Sequence, residues 1–135
     1  ATILELSGID IAKLNLDGNS LINALNGDTS GLHDIAISEH FAHGTDRAMG
    51  MVRSDKWKLC YGHGSPPELE LYDLTEDPNE FNNLANSPEH LTTQNRLLKI
   101  LLDQWGDPDL LTARIIQAQE EREIIRNVTG IGTIF

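Results

Sequence analysis

RAMGMVRSDKWKLCYGHGSPPELELY, residues 47–72, decides the fold. Within it, Lys56 to Tyr61 is the clearest strand. Trp57, Leu59 and Tyr61 fall on one face and Lys56, Lys58 and Cys60 on the other, the two-residue period of a half-buried strand. Arg47 to Arg53 alternates ahead of it, with Met49 and Met51 opposite Ala48, Gly50 and Val52, and Ser54-Asp55 supplies turn chemistry between the two. Gly62 to Pro67 (GHGSPP) has to be a loop, because Gly and Pro together break a strand. Leu69, Leu71 and Tyr72 form a last strand. Further back, His33 to Glu39 alternates as well, with Ile35 and Ile37 on one face. Short neighbouring strands with short connections predict an antiparallel sheet.

Helical signals flank this block. Residues 3–11 carry apolar positions at helical spacing, and Ser20 is placed to cap a short helix from Leu21 to Asn26 that Gly27 stops. Asp77-Pro78-Asn79-Glu80 has the pattern of a capping box, with Asp77 as acceptor and Glu80 reaching back. Ser87-Pro88 opens a helix whose apolar face runs through Leu91, Leu98, Leu101, Leu102 and Trp105. Asp107-Pro108 opens another, with Leu111, Ile115, Ala118 and Ile125 along one side and Gly130 and Gly132 at its end. The expected fold class is α+β: a small antiparallel sheet of about four strands packed against C-terminal helices. The expected division is 1–106 for this unit and 107–135 for a helical extension.

Composition narrows the function. Of 135 residues, 39% are hydrophobic and 23% charged, the balance of a globular chain rather than a disordered one. The net charge of −11 repels nucleic-acid phosphates and anionic lipid, so neither is an expected partner. Cys60 is the only cysteine, which excludes an intrachain disulfide and a cysteine-rich zinc site. The chain opens inside an apolar pattern (Ile3, Leu4, Leu6, Ile9, Ile11), which reads as an excised segment.

Residues 38–85, SEHFAHGTDRAMGMVRSDKWKLCYGHGSPPELELYDLTEDPNEFNNLA, carry a resemblance to the C-terminal region of sulfatases of the alkaline-phosphatase superfamily. That family shows a similar succession. S-E-[aromatic or His], here Ser38-Glu39-His40, is followed by M-[VIL]-R-x-x-[KR]-[WY]-K-[LFY], here Met51 to Leu59. Then comes E-L-Y-D-L-x-x-D-P-x-E-x-x-N-L-A, here Glu70 to Ala85. ATILELSGID and LDGNSLINALNG also resemble family segments, so the likeness covers roughly residues 1–105. It implies a parent that hydrolyses a sulfate ester with formylglycine and a divalent metal, expected to be calcium. The alternative is a phosphonate or phosphodiester hydrolase of the same superfamily.

The family makes its nucleophile from [CS]-x-P-x-R. Cys60 is followed by Gly62 and Gly64 where Pro and Arg are required, and Ser65 has Pro67 but then Leu69 in place of Arg. No catalytic residue and no metal ligand is therefore expected in this chain, and the resemblance implies a missing N-terminal catalytic domain as its partner. The richest polar cluster is His33, Asp34, Glu39, His40, His43 and Asp46. As a metal site it conflicts with strand geometry, which sends Glu39 and His40 to opposite faces. Resemblance to choline-sulfatase-like relatives makes Glu39, His40 and His43 the candidate substrate-binding residues, Glu39 offering a carboxylate to a cationic or hydroxyl-bearing leaving group.

Arg53, Lys56 and Lys58 read as charges that guard a hairpin edge rather than as an anion site. His63 reads as an exposed loop histidine, there either to touch a substrate or simply as part of the loop's polarity. The tail from Asp107 onward, carrying QAQEEREIIRN, resembles helical C-termini that pack on a neighbouring subunit, so a homo-oligomer contact through it is one expectation and a plain intramolecular helix the other, with Ile131, Ile134 and Phe135 adding apolar surface. Two rivals come from other classes: a stand-alone binding or oligomerisation module without catalysis, and a small metal-binding protein built on the histidine cluster.

Overall fold

The computed structural model describes residues 1–42 and 44–129. The chain divides into two compact units, Ala1–Asp34 and Ile35–Phe135.

The first unit holds helix α1 (Thr2–Leu6), a single 3-10 turn at Ile11–Lys13 and helix α2 (Ile22–Leu25). The helical spacing of residues 3–11 yields only α1, because Gly8 turns the chain out of the helix at φ +80°. α2 starts one residue later than the sequence suggests, with Leu21 rather than Ser20 at its N-cap and no side-chain cap bond; the Ser20 hydroxyl accepts from the Ile22 N–H at 3.3 Å from just outside the helix. The Leu21 N–H donates to the Thr2 hydroxyl at 3.0 Å, and the Asn19 amide donates to the Gly31 carbonyl at 3.1 Å. No residue of this unit is buried.

The second unit is built on a four-stranded antiparallel sheet in the order β1-β2-β3-β4, a meander of β1 (Ile35–His40), β2 (Met49–Ser54), β3 (Trp57–Gly62) and β4 (Glu68–Asp73). The α+β class read from the sequence is the class observed. Asp55, at φ +56°, makes the β2–β3 turn that Ser54-Asp55 predicts. Register places Gly50 opposite Tyr61, Val52 opposite Leu59, and Leu59 opposite Leu71. Directly opposed residues share a face, so Gly50, Val52, Leu59, Tyr61 and Leu71 line one side. Met49, Met51, Lys58 and Cys60 line the other.

Helix α3 (Leu91–Trp105), entered through a 3-10 turn at Pro88–His90, covers the first side. Val52, Leu59, Leu71, Leu97 and Leu101 are fully buried there. Each such side chain contributes roughly 1.5–3 kcal/mol by leaving water. The buried stripe of α3 is Gln94, Leu97 and Leu101, while Leu91 is 39% exposed. The expected stripe omitted Leu97, because the run LLKILLDQW is apolar over a wide arc and only docking on the sheet selects its phase. Gln94 is tolerated inside because its side-chain oxygen accepts from the Asn86 N–H at 2.8 Å.

Asp77 to Glu80 departs from expectation: the segment is a turn, with Glu80 at φ +59°. Asp77 does accept a backbone N–H, from Asn82 at 2.8 Å, but Glu80 turns away to Lys58 at 2.6 Å instead of reaching back.

Helix α4 (Pro108–Thr129) begins where Asp107-Pro108 predicts, with the Asp107 carboxylate accepting from the N–H groups of Asp109 and Leu110 at 3.0 and 3.2 Å. Only its first turns dock on the sheet unit. The Thr112 hydroxyl accepts from the Ala48 N–H at 3.3 Å, Ile115 is buried, and the Gln119 amide donates to the Thr45 carbonyl. Ala118 and Ile125, expected on the packed side, are exposed, Ile125 at 62%. Gly130, Ile131, Gly132, Ile134 and Phe135 lie outside the described residues. Among the described residues no helix is long and apolar enough to cross a membrane.

Candidate functional site

The C-terminal end of β1 is where the candidate residues sit. Strand alternation sends Glu39 to the α3 side, paired across with Gly50, and His40 to the open side, paired across with Met49. Glu39 is held in place, its Oε1 accepting from the Trp105 indole N–H at 2.8 Å. Phe41 meets the same indole edge-on, centroids 5.6 Å apart at 67°. His43 lies outside the described residues. The two side chains therefore leave the strand on opposite faces, although both residues border the cavity at this end of the sheet.

His40 borders a shallow cavity of about 260 Å³ on the open sheet face, walled by Ser38, Met49, Met51, Cys60 and Glu70. Burial pushes the Cys60 thiol above its ordinary pKa, which keeps it protonated and poorly nucleophilic at neutral pH.

A second recess, of about 600 Å³, lies just beyond the same, C-terminal end of β3, beside α4. Arg47 spans it, bonded to Asp46 and Glu68, each at 2.8 Å. The guanidinium holds the Asp46 carboxyl below the usual carboxylate range. His63 is not the exposed loop residue expected. Its Nδ1 pairs with the Tyr61 hydroxyl at 2.8 Å and its Nε2 with Asp109 at 2.7 Å, leaving the side chain 17% exposed. Sequence reasoning missed this role because Asp109 is 46 residues away and only the docking of α4 brings it near.

The basic residues are also placed differently. β2 and β3 are central strands, so Arg53, Lys56 and Lys58 guard no edge. Lys56 binds Asp73 at 2.5 Å and Lys58 binds Glu80 at 2.6 Å, so both cations are matched within the unit and do not form an anion site. Trp57 and Trp105 pack against the core as expected.

Among the described residues, no three His, Cys, Asp or Glu side chains gather in a way that would hold a metal ion. In the polar cluster named above, Asp46 is turned to Arg47 and Glu39 to Trp105. The described residues thus do not fit a divalent metal, and neither Cys60 nor Ser65 lies in the pattern that yields formylglycine.

A helix-backed four-stranded antiparallel meander is a subdomain of the α+β class. The particular family follows from comparison: residues 1–106 match the family described as N-sulphoglucosamine sulphohydrolase, C-terminal, and the chain belongs to that family. Arylsulfatase K of Xenopus laevis is 30% identical over 112 residues, covering 76% of this chain and 21% of that protein. Choline-sulfatase of Rhizobium meliloti strain 1021 is 27% identical over 138 residues, covering 99% of this chain and 26% of that protein. The solved structure of a 2-O GAG sulfatase superposes with a TM-score of 0.62 at 28% identity, covering 78% of this chain and 24% of that one. The fold alone is shared with the phosphonate monoester hydrolase of Agrobacterium radiobacter, at 23% identity and a TM-score of 0.53. The chain thus spans between a fifth and about a quarter of the length of these sulfatase relatives.

Proposed function

We propose that this chain is the C-terminal, non-catalytic region of a sulfuric ester hydrolase, where it buttresses a catalytic α/β domain and forms part of the substrate-pocket rim. The observation that carries this reading is the match of residues 1–106 to a sulfatase C-terminal family in a chain without a [CS]-x-P-x-R pattern. The first unit supports it. Eight of its large apolar side chains are exposed, Ile3 at 80% and Leu25 at 74% among them, and none is buried. Such a surface fits against another body rather than against water.

In this reading formylglycine and the divalent metal, expected as calcium, belong to the catalytic domain. Residues 1–106 are the supporting subdomain and 107–135 an extension. The rim comprises Glu39, His40 and His43, with Glu39 first, because the Trp105 bond fixes where its carboxylate points. Glu39 and His40 leave the strand on opposite faces, yet both border the cavity at this strand end. A homo-oligomer contact through α4 is supported by exposed Ile124, Ile125 and Val128 beyond the docked turns. Fold likeness alone does not favour the phosphonate hydrolase reading.

The test compares the 135-residue chain with the longer protein encoded around it, using p-nitrophenyl sulfate. The chain alone is expected to give no hydrolysis above buffer, and the longer protein to turn over. Hydrolysis by the chain alone, or a reading frame that starts at Ala1, overturns the proposal.

A further inference from the structure

We propose that Trp105 is a positioning residue: it latches the end of β1, so that Glu39 and the chain leading away from it through Phe41 are held in one orientation at the pocket rim. This rests on the rim reading above and adds to it the residue that fixes the rim.

Three observations converge on the indole. Its N–H donates to Glu39 Oε1 at 2.8 Å, across 66 residues of sequence. Its ring lies between Phe41, edge-on at 5.6 Å, and Tyr61, tilted at 5.8 Å. Its seat is made by an absent side chain: a Cβ on Gly50 would sit 2.6 Å from Trp105 Cζ2 and 3.0 Å from Leu101 Cδ1. Gly50 therefore lets the last turn of α3 approach the strand closely enough for the indole to reach past it to Glu39 on the neighbouring strand. Trp105 is the last residue of α3, and Gly106 at φ +74° turns the chain away immediately after it.

The arrangement has the parts of a latch. A rigid helix delivers the ring, a buried aromatic backs it, and the bond it makes goes to the β1 residue nearest the exit of the strand on that face. The strand needs such a hold. All six residues of β1 are exposed, and its only sheet neighbour is β2. A hydrogen bond to a carboxylate is among the stronger single contacts available to it.

The experiment uses three variants. Trp105→Phe keeps a ring but loses the donor. Gly50→Ala displaces the indole from beneath. Glu39→Gln keeps a side-chain acceptor for the indole. Amide hydrogen exchange in the 135-residue chain is the first readout. Trp105→Phe and Gly50→Ala are expected to speed exchange at residues 38–42 by about ten-fold, the size of one hydrogen bond to a charged acceptor, with β3 and β4 unchanged. Glu39→Gln is expected to stay within about two-fold of the parent, since a neutral acceptor weakens the bond without removing it. Unchanged exchange at residues 38–42 in Trp105→Phe overturns the latch, whatever the rim does.

The second readout is turnover by the longer protein, with choline sulfate or p-nitrophenyl sulfate, whichever the parent hydrolyses faster. Trp105→Phe is expected to raise KM about ten-fold and leave kcat within about two-fold, as loss of uniform binding does. Faster exchange with an unchanged KM, or a parent that hydrolyses neither ester, removes the rim reading and the positioning role with it.

Discussion

Asn83 stands against Leu71 as a substitute for a fifth strand. Its side-chain oxygen accepts from the Leu71 N–H at 3.0 Å, and its amide donates to the Leu69 carbonyl at 3.1 Å. The Leu84 N–H then donates to the Leu71 carbonyl at 2.8 Å. The outer edge of β4 is thereby closed by two loop residues, whereas the outer edge of β1 has no such cover within the sheet. Leu71 is fully buried, so its backbone groups have no water to turn to.

Asn83→Ala is therefore expected to destabilise the sheet unit by about 1–3 kcal/mol, the cost of leaving a buried donor unmet. Urea denaturation measures it, and exchange at the Leu71 amide should quicken ahead of its β3 neighbours. An unchanged midpoint would show that the loop repairs the edge without this side chain.

Acid sensitivity should centre on Asp73. The Lys56 ammonium at 2.5 Å, joined by the N–H groups of Thr75 and Glu76, holds this buried carboxyl below its ordinary value. Above the ordinary aspartate value, about 3.9, the group is ionised folded and unfolded, and its stabilisation is fully present. As pH falls, the unfolded chain takes up the proton first. Stability drops through the interval between the ordinary and the depressed value and is gone below it. Asp73→Asn should flatten this acid limb, read as a smaller difference in urea midpoint between pH 6 and pH 3 than the parent shows.

Cys60 should react slowly. Its thiol pKa is raised by burial, so at pH 7.5 a smaller fraction is thiolate than in the unfolded chain. Labelling with a disulfide reagent at that pH is expected to be at least about ten-fold faster in denaturant than in buffer. Equal rates would mean that the open sheet face leaves the sulfur accessible.

Deleting residues 120–135 tests the assembly proposed for α4. The docking residues Asp109, Thr112, Ile115 and Gln119 all remain, so the sheet unit should keep its thermal midpoint. The full chain is expected to elute as an oligomer and the shortened one as a monomer. A full chain that already elutes as a monomer sinks the proposal.

Much of the fold was legible because its signals are local. The alternation of Trp57, Leu59 and Tyr61 identified β3, the GHGSPP run identified a loop, and Asp107-Pro108 marked the start of α4. Errors came where a residue had two possible partners. Glu80 looked like a capping residue, but Lys58 lies across from it in space and takes it. Lys56 and Lys58 looked like edge guards because strand order is not written in one strand. Nothing local singles out Leu97, because its neighbours are equally apolar. Of the candidate site, the opposite facing of Glu39 and His40 followed from alternation alone, whereas the Trp105 bond joins residues 66 apart, too far for any spacing rule. Gly50 did leave a trace: a glycine at an inward position opposite Tyr61 signals close approach by something large.

The bareness of residues 1–34 puts two selection pressures in conflict. Screening the isolated chain for solubility would enrich polar replacements at Ile3, Leu6 and Leu25, since nothing in that segment loses by them. Screening a whole sulfatase for activity would purge the same replacements. If the proposed catalytic neighbour is real, the sequence of that stretch is a record of that neighbour's shape rather than of its own.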